Sequence, residues 1–149
     1  MSSKQLLLKI VTPERVILEE MVDEVTLPTT EGEVGILPDH ITIVGALKSG
    51  DVVALSNGEH IPFAVSGGFV EVKKGSDGTT EVAVLADFAE HVADITDEAI
   101  AHAKARSEEL AKAMENKDHV DFEHFEAELE RSLNRVKIAD KWRTRKYRK

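Results

Sequence analysis

The hydrophobic pattern of the chain changes period once, near residue 88, and that change constrains the fold more than any other feature. Up to about Ala86, short runs rich in Val, Ile, Leu and Thr recur between turn signals. They predict strands near 4–11, 15–21, 23–29, 33–37, 41–47, 51–56, 60–66, 68–74 and 80–86. Asn57-Gly58 separates two of these runs, and both residues accept the positive φ of a type I′ turn, so a tight hairpin is expected there. Gly75-Ser76-Asp77-Gly78 marks a looser one. Many short strands with no helical stretch between them predict an antiparallel sandwich or flattened barrel.

Beyond Phe88 the apolar spacing becomes helical. Ile100, Ala103, Ser107, Leu110 and Met114 step alternately by three and four residues and so share one face. Asp94 or Thr96 can cap this helix, and Asp97 and Glu98 suit its positive N-terminus. Asn116-Lys117-Asp118 interrupts the pattern. A second helix follows, with Asp121 as candidate cap and Phe122, Phe125, Leu129, Ser132 and Val136 on one face. Two amphipathic helices with a short connection make an antiparallel hairpin. The fold class is therefore β + α: an N-terminal antiparallel β-sandwich over 1–87, then a two-helix hairpin with a basic end over 88–149. The Ala/Ser stripe of the first helix packs closely but buries little area, so a loosely held hairpin is expected.

Charge is unevenly distributed. Residues 1–86 carry 6 basic and 13 acidic side chains, 87–136 carry 6 and 14, and 137–149 carry 7 and 1, so a −15 body ends in a +6 tail. The acidic body disfavours a nucleic-acid or anionic-membrane binder. With no cysteine among the 149 residues, disulfides, thiolate zinc sites and a Cys nucleophile are excluded. The apolar stretch from Leu6 to Val11 is broken by Lys9, so no secretory signal is expected. Nor does any run approach the about 18 apolar residues of a membrane span.

No catalytic constellation emerges. There is neither a G-x-x-x-x-G-K-[ST] loop nor a G-x-G-x-x-G turn, and Gly67-Gly68 between two strand runs reads as a bend or close backbone approach. The histidines at 40, 60, 91, 102, 119 and 124 are scattered without metal-ligand spacing. The acids between 123 and 130 read as a solvated helix face, and Ser66 and Ser132 lack a nucleophile-elbow context. One segment stands out: Glu31-Gly32-Glu33-Val34-Gly35-Ile36-Leu37-Pro38-Asp39-His40. On spacing alone it is a turn-rich loop with solvated charges.

Several strings nonetheless occur in a recognisable order. They are Ile10-Val11-Thr12-Pro13-Glu14, the Glu31–His40 segment, Leu47-Lys48-Ser49-Gly50, Val65-Ser66-Gly67-Gly68-Phe69-Val70-Glu71-Val72, Val84-Leu85-Ala86-Asp87 and Leu133-Asn134-Arg135-Val136. On a β-then-two-helix layout, from about Leu6 to Val136, the chain resembles the epsilon subunit of F-type rotary ATP synthases. The resemblance implies a sandwich of about ten strands followed by the helical hairpin. It also implies a non-catalytic place in the central rotor, where the sandwich links the gamma subunit to the c-ring and supports coupling of rotation to ATP synthesis. The chain would then be a peripheral part of the complex at the cytoplasmic face of the plasma membrane. It would touch the membrane only through the complex and bind no nucleic acid.

Residue roles follow from the same resemblance. The segment matching 31–40 lies in the family at the end of the sandwich facing ring and shaft, which makes Glu31, Gly32, Glu33, Asp39 and His40 candidates for the c-ring and gamma interface. Gly32, Gly35 and Pro38 are expected to fix its backbone. In many bacterial members the hairpin either folds on the sandwich or extends into the alpha/beta catalytic head and blocks ATP hydrolysis. Arg135, Lys137, Lys141, Arg143, Arg145 and Lys146, around Trp142, are the candidates for that inhibitory contact; the competing reading is a solvated helix end. Some members bind ATP through Ile-Asp-x-x-Arg-Ala, but the matching positions here are Ile95-Thr96-Asp97-Glu98-Ala99-Ile100. The motif is degraded and no cofactor is expected. The alternative, an ATP sensor, would rely on Arg106 and Arg131.

Overall fold

In the strands, every second residue turns inward. Leu6, Leu8 and Ile10 of β1 (Leu6–Val11) are fully buried while Leu7, Lys9 and Val11 face outward. The computed structural model describes residues 4–115 and 122–146, with 122–123 and 144–146 given by their helical backbone only. β1 is followed by β2 (Val16–Val22), β3 (Glu24–Thr29), β4 (Gly32–Ile36), β5 (Ile43–Ala46), β6 (Gly50–Ser56), β7 (Glu59–Lys74) and β8 (Thr80–His91). The strands form a β-sandwich whose hydrogen-bonded order is β2-β1-β8-β7-β6-β3-β4, with β5 paired to the far half of β7. Its core gathers Leu6, Leu8, Ile10, Val25, Leu27, Val52, Phe63, Val65, Val70, Val72, Val82 and Val84.

Three features depart from the sequence expectation. The runs at 60–66 and 68–74 are one strand of 16 residues, and β8 extends beyond 86 to His91. The two strands pair with each other from Lys74↔Thr80 to Phe63↔His91, so among the described residues eight strands stand where about ten were expected. The turn of the chain within β7 is made by Gly67 and Gly68, at φ 65° and 117°. A Cβ on Gly68 would lie 2.1 Å from the Leu85 carbonyl oxygen, so β8 runs too close for any side chain. Gly67-Gly68 is thus a bend, as expected, and not a phosphate cradle. Third, one pairing is parallel: β1 runs alongside β8 in register from Leu7↔Glu81 to Val11↔Leu85. It joins the first strand to the last. The Asn57-Gly58 hairpin forms as predicted, with φ 52° and 80°.

The chain divides into two compact units, Met1–His91 and Val92–Lys149. The change of period thus falls four residues beyond the expected 87/88 boundary, because β8 runs on. In the second unit a short 3-10 turn, Val92–Asp94, precedes α1 (Asp97–Glu115) and α2 (Phe122–Lys146). Thr96, rather than Asp94, caps α1: its Oγ1 accepts the Ala99 N–H at 3.0 Å. Ile100, Ala103, Ser107 and Leu110 are buried on α1, and Asn134, Ile138 and Ala139 on α2. The ion pairs Arg106–Glu128 and Arg143–Asp97 connect positions that rise on one helix as they fall on the other, so the hairpin is antiparallel. The expected break at 116–118 and the Asp121 cap lie outside the described residues.

Candidate functional site

The segment 31–40 is not one loop. Glu31 and Gly32 sit at the β3–β4 turn, where the Thr29 hydroxyl donates to the Gly32 carbonyl at 2.6 Å and accepts the Glu31 N–H at 3.2 Å. Around this turn, Thr30 N–H donates to Ala46 O, Lys48 N–H to Pro28 O, and Leu47 N–H to Gly68 O. One end of the sandwich therefore collects Glu31, Lys48 and the Gly67-Gly68 bend. Glu31 and Glu33 are exposed, and among the described residues no cation pairs with either carboxylate. Gly32 does fix the backbone, at φ 117°, whereas Gly35 needs no unusual φ and has nothing within 4 Å of where a Cβ would stand.

Asp39 and His40 lie beyond the other end of β4, roughly 13 Å away by strand rise. There Lys4 reaches Asp39 at 2.8 Å and Lys74 reaches it at 3.3 Å. The Asp39 N–H donates to Thr80 Oγ1 at 2.7 Å. Hydrogen bonding from Lys4, then Lys74, holds the Asp39 carboxyl below the ordinary aspartate range. His40 Nδ1 is 2.8 Å from the Ile41 carbonyl and must carry the proton, since a carbonyl only accepts. The five expected interface residues are thus split: Glu31, Gly32 and Glu33 cluster at one end, while Asp39 is taken up in clamping the β4–β5 loop at the other.

A surface that sequence reasoning missed crosses the sheet between them. The registers align Ala46, Phe69, Leu85, Val11 and Val16 as one row over β5, β7, β8, β1 and β2. Phe69, Leu85 and Val16 are 61, 52 and 56% exposed, and Val44, two residues from Ala46, is 73% exposed. The row spans roughly 19 Å at the usual strand spacing. An exposed apolar row of this kind is a candidate contact surface. A signal existed: Phe69 shares its strand phase with Glu71, and Leu85 shares its own with Glu81 and Asp87, so both are apolar residues on an outward phase.

In the hairpin, Arg106 forks onto Glu128 through Nε at 2.7 Å and Nη2 at 3.1 Å, and its Nη1 meets Glu109 at 3.3 Å. The fork raises the arginine further above neutrality and lowers the Glu128 carboxyl. Arg131 and His124 lower it further through space. The two arginines named as nucleotide candidates thus converge on an acid of the same hairpin. The basic stretch proves to be the last turns of α2. Lys137, Lys141 and Arg145 stand at i, i+4 and i+8, positions on one stripe. The Lys141 ammonium lies 5.6 Å from the Trp142 ring centroid, while Arg135 is half-buried. Arg143 turns to α1, where it pairs with Asp97 and donates to Ile95 O at 3.4 Å. The side chains of Arg145 and Lys146 lie outside the described residues. Among the described residues no group of His, Asp and Glu could hold a metal ion, and no helix is long and apolar enough to cross a membrane.

Residues 5–92 match the family model for the ATP synthase Delta/Epsilon chain, beta-sandwich domain. Beyond it, an ATP synthase epsilon chain from Desulforamulus reducens is 39% identical over 133 residues, covering 89% of this chain and 96% of that one. The chain belongs to the ATP synthase epsilon-chain family. An epsilon chain from Nitratidesulfovibrio vulgaris is 42% identical over 136 residues, covering 91% and 96% of the two chains. Among solved structures, one chain in a cryo-EM structure of the Euglena gracilis mitochondrial ATP synthase, OSCP/F1/c-ring, superposes with a TM-score of 0.70 at 27% identity, covering 89% of this chain and 79% of its own. The match to bacterial epsilon chains spans both units, so the family assignment takes in the hairpin as well as the sandwich.

Proposed function

We propose that the chain is a non-catalytic subunit of the rotor stalk of an F-type ATP synthase, and that its hairpin restrains ATP hydrolysis. The observation that carries this reading is that an epsilon-family chain bears three unlike surfaces, two on the sandwich and one on the hairpin. The apolar row of Phe69, Leu85, Val11 and Val16 suits a broad, permanent contact, which we assign to the gamma subunit. The exposed carboxylates of Glu31 and Glu33, with no cation paired to them among the described residues, suit a small polar contact with basic loops of the c-ring, where charge sets register more than affinity. The stripe of Lys137, Lys141 and Arg145 faces an acidic surface of the alpha/beta head. The chain is then peripheral, held at the cytoplasmic face of the membrane by the complex alone.

Nucleotide binding is not part of the proposal, since the Arg106 guanidinium is committed to Glu128 and Glu109. The inhibitory half is tested by Lys137→Ala, Lys141→Ala and Arg145→Ala together in the assembled synthase. ATP hydrolysis should rise about two- to tenfold, on the scale of losing a few charge pairs at a rim, while synthesis is retained. Unchanged hydrolysis would overturn the inhibitory role and leave the stalk assignment standing.

A further inference from the structure

Arg143 occupies an electrostatically awkward place. It projects from the last turns of α2 to the first turn of α1, where the unsatisfied N–H groups already carry partial positive charge. A cation there is repelled unless an anion stands between, and Asp97 is that anion: Nη1 of Arg143 donates to Asp97 Oδ1 while Nη2 donates to the Ile95 carbonyl. Removing the Asp97 charge therefore takes away the ion pair and leaves Arg143 beside the positive end of α1 with only the Ile95 carbonyl and the neighbouring Glu98 to offset it. The rest of the buried face offers limited resistance, because Ala103, Ser107, Asn134 and Ala139 alternate with the larger Ile100, Leu110 and Ile138.

We infer that Asp97 is an internal competitor for Arg143: it latches the hairpin shut by standing in for the acidic surface that the basic end of α2 would otherwise meet. The inference rests on the inhibitory role proposed above and adds the residue that opposes it. With Nη1 on Asp97 and Nη2 on the Ile95 carbonyl, Arg143 has no complete fork to offer a second acid while the hairpin is shut. The latch is open to solvent, the side chains of Arg143 and Asp97 being 44 and 86% exposed, so it is weak and sensitive to salt.

The absence of cysteine makes the test direct. Ala101→Cys and Leu133→Cys, both at exposed helix positions, carry paired spin labels on the full-length chain, and the inter-label distance reports closure. Asp97→Asn should shift the closed-to-open ratio about two- to fivefold toward open at low salt, the range of an exposed ion pair. That difference should vanish near 1 M salt, where screening acts within about 3 Å. Asp97→Glu, which keeps the anion at the start of α1, should stay as closed as the parent. In the assembled synthase Asp97→Asn should lower ATP hydrolysis. If the labels report the same distances in Asp97→Asn, or if Asp97→Glu opens as far as Asp97→Asn, the latch is overturned, whatever the Lys137, Lys141 and Arg145 substitutions do. A hairpin that opens with no further loss of hydrolysis overturns the competition. If the three stripe substitutions also leave hydrolysis unchanged, the fault lies in the inhibitory role itself.

Discussion

Asp39 shows how a residue can look like a contact point and be a clamp. It adopts φ 70°, a left-handed conformation that aspartate and asparagine tolerate better than most residues. Lys4, just before β1, and Lys74, the last residue of β7, both reach its carboxylate. Its exposure on a turn-rich segment was legible; its partners were not, because Lys4 is 35 positions away and only the fold brings it near. Asp39→Asn keeps the backbone tolerance and removes the charge. The folded carboxyl is held below its unfolded pKa, so its contribution is present above the unfolded value and is lost as pH falls through the lower folded one. In urea titrations Asp39→Asn should therefore unfold earlier than the parent at about pH 7, and the gap should close at about pH 2, below the unfolded aspartate pKa of about 3.9. A gap that persists in acid would assign the effect to the side-chain amide and not to the lost ion pairs. Phe69 is the opposite case. An exposed Phe alone carries no message; its meaning comes from Leu85, Val11 and Val16 falling in the same row, which depends on a parallel register that no local pattern reveals.

Among the elements, helices announce themselves by local periodicity and strands by local alternation, but where one strand ends and another begins is a long-range matter. At Gly67-Gly68 the sequence predicts a break, since two glycines with positive φ would end most strands. The strand survives because β8 follows it through the bend and keeps the pairing intact. The far end of α2 is hidden differently: seven basic residues conceal the buried pair Ile138 and Ala139, so the apolar face reads as ending near Val136. The start of α1 is set by a local cap, one hydroxyl accepting one N–H. Thr96→Ala should cost the helical unit about 1 kcal/mol, as capping losses usually do. Amide exchange of the first turn of α1 should quicken, while protection in β1, β7 and β8 stays as it was. Equal loss of protection in both units would mean that the cap supports more than its own helix.

For the whole molecule, the boundary between units decides what can be removed without damage. The hydrophobic core of the sandwich is complete within residues up to Ala89, and the last residue of β8, His91, packs edge-on to Phe63 with ring centroids 4.8 Å apart. Sequence periodicity places the boundary at 87/88, because Phe88 to His91 carry no turn signal and no clear alternation. The pairing ladder is what assigns them to the strand: Phe63↔His91, Ala64↔Glu90 and Val65↔Ala89. Two truncations separate these boundaries. A chain ending at His91 keeps the ladder and the core, and should unfold at the same denaturant midpoint as the sandwich of the full chain. A chain ending at Asp87 exposes one side of Phe63 and Val65, both at most 1% exposed in the intact fold, and removes the buried Ala89. It should be less stable by about 1–3 kcal/mol, on the scale of partly uncovering one large and one medium apolar side chain. Only the His91 truncation is then a clean probe of function: the rotor partners should still hold it through the apolar row, and ATP hydrolysis should be released in its complexes. If that chain is folded yet fails to join the complex, the docking surface cannot lie on the sandwich alone, and the hairpin must contribute to assembly as well as to restraint.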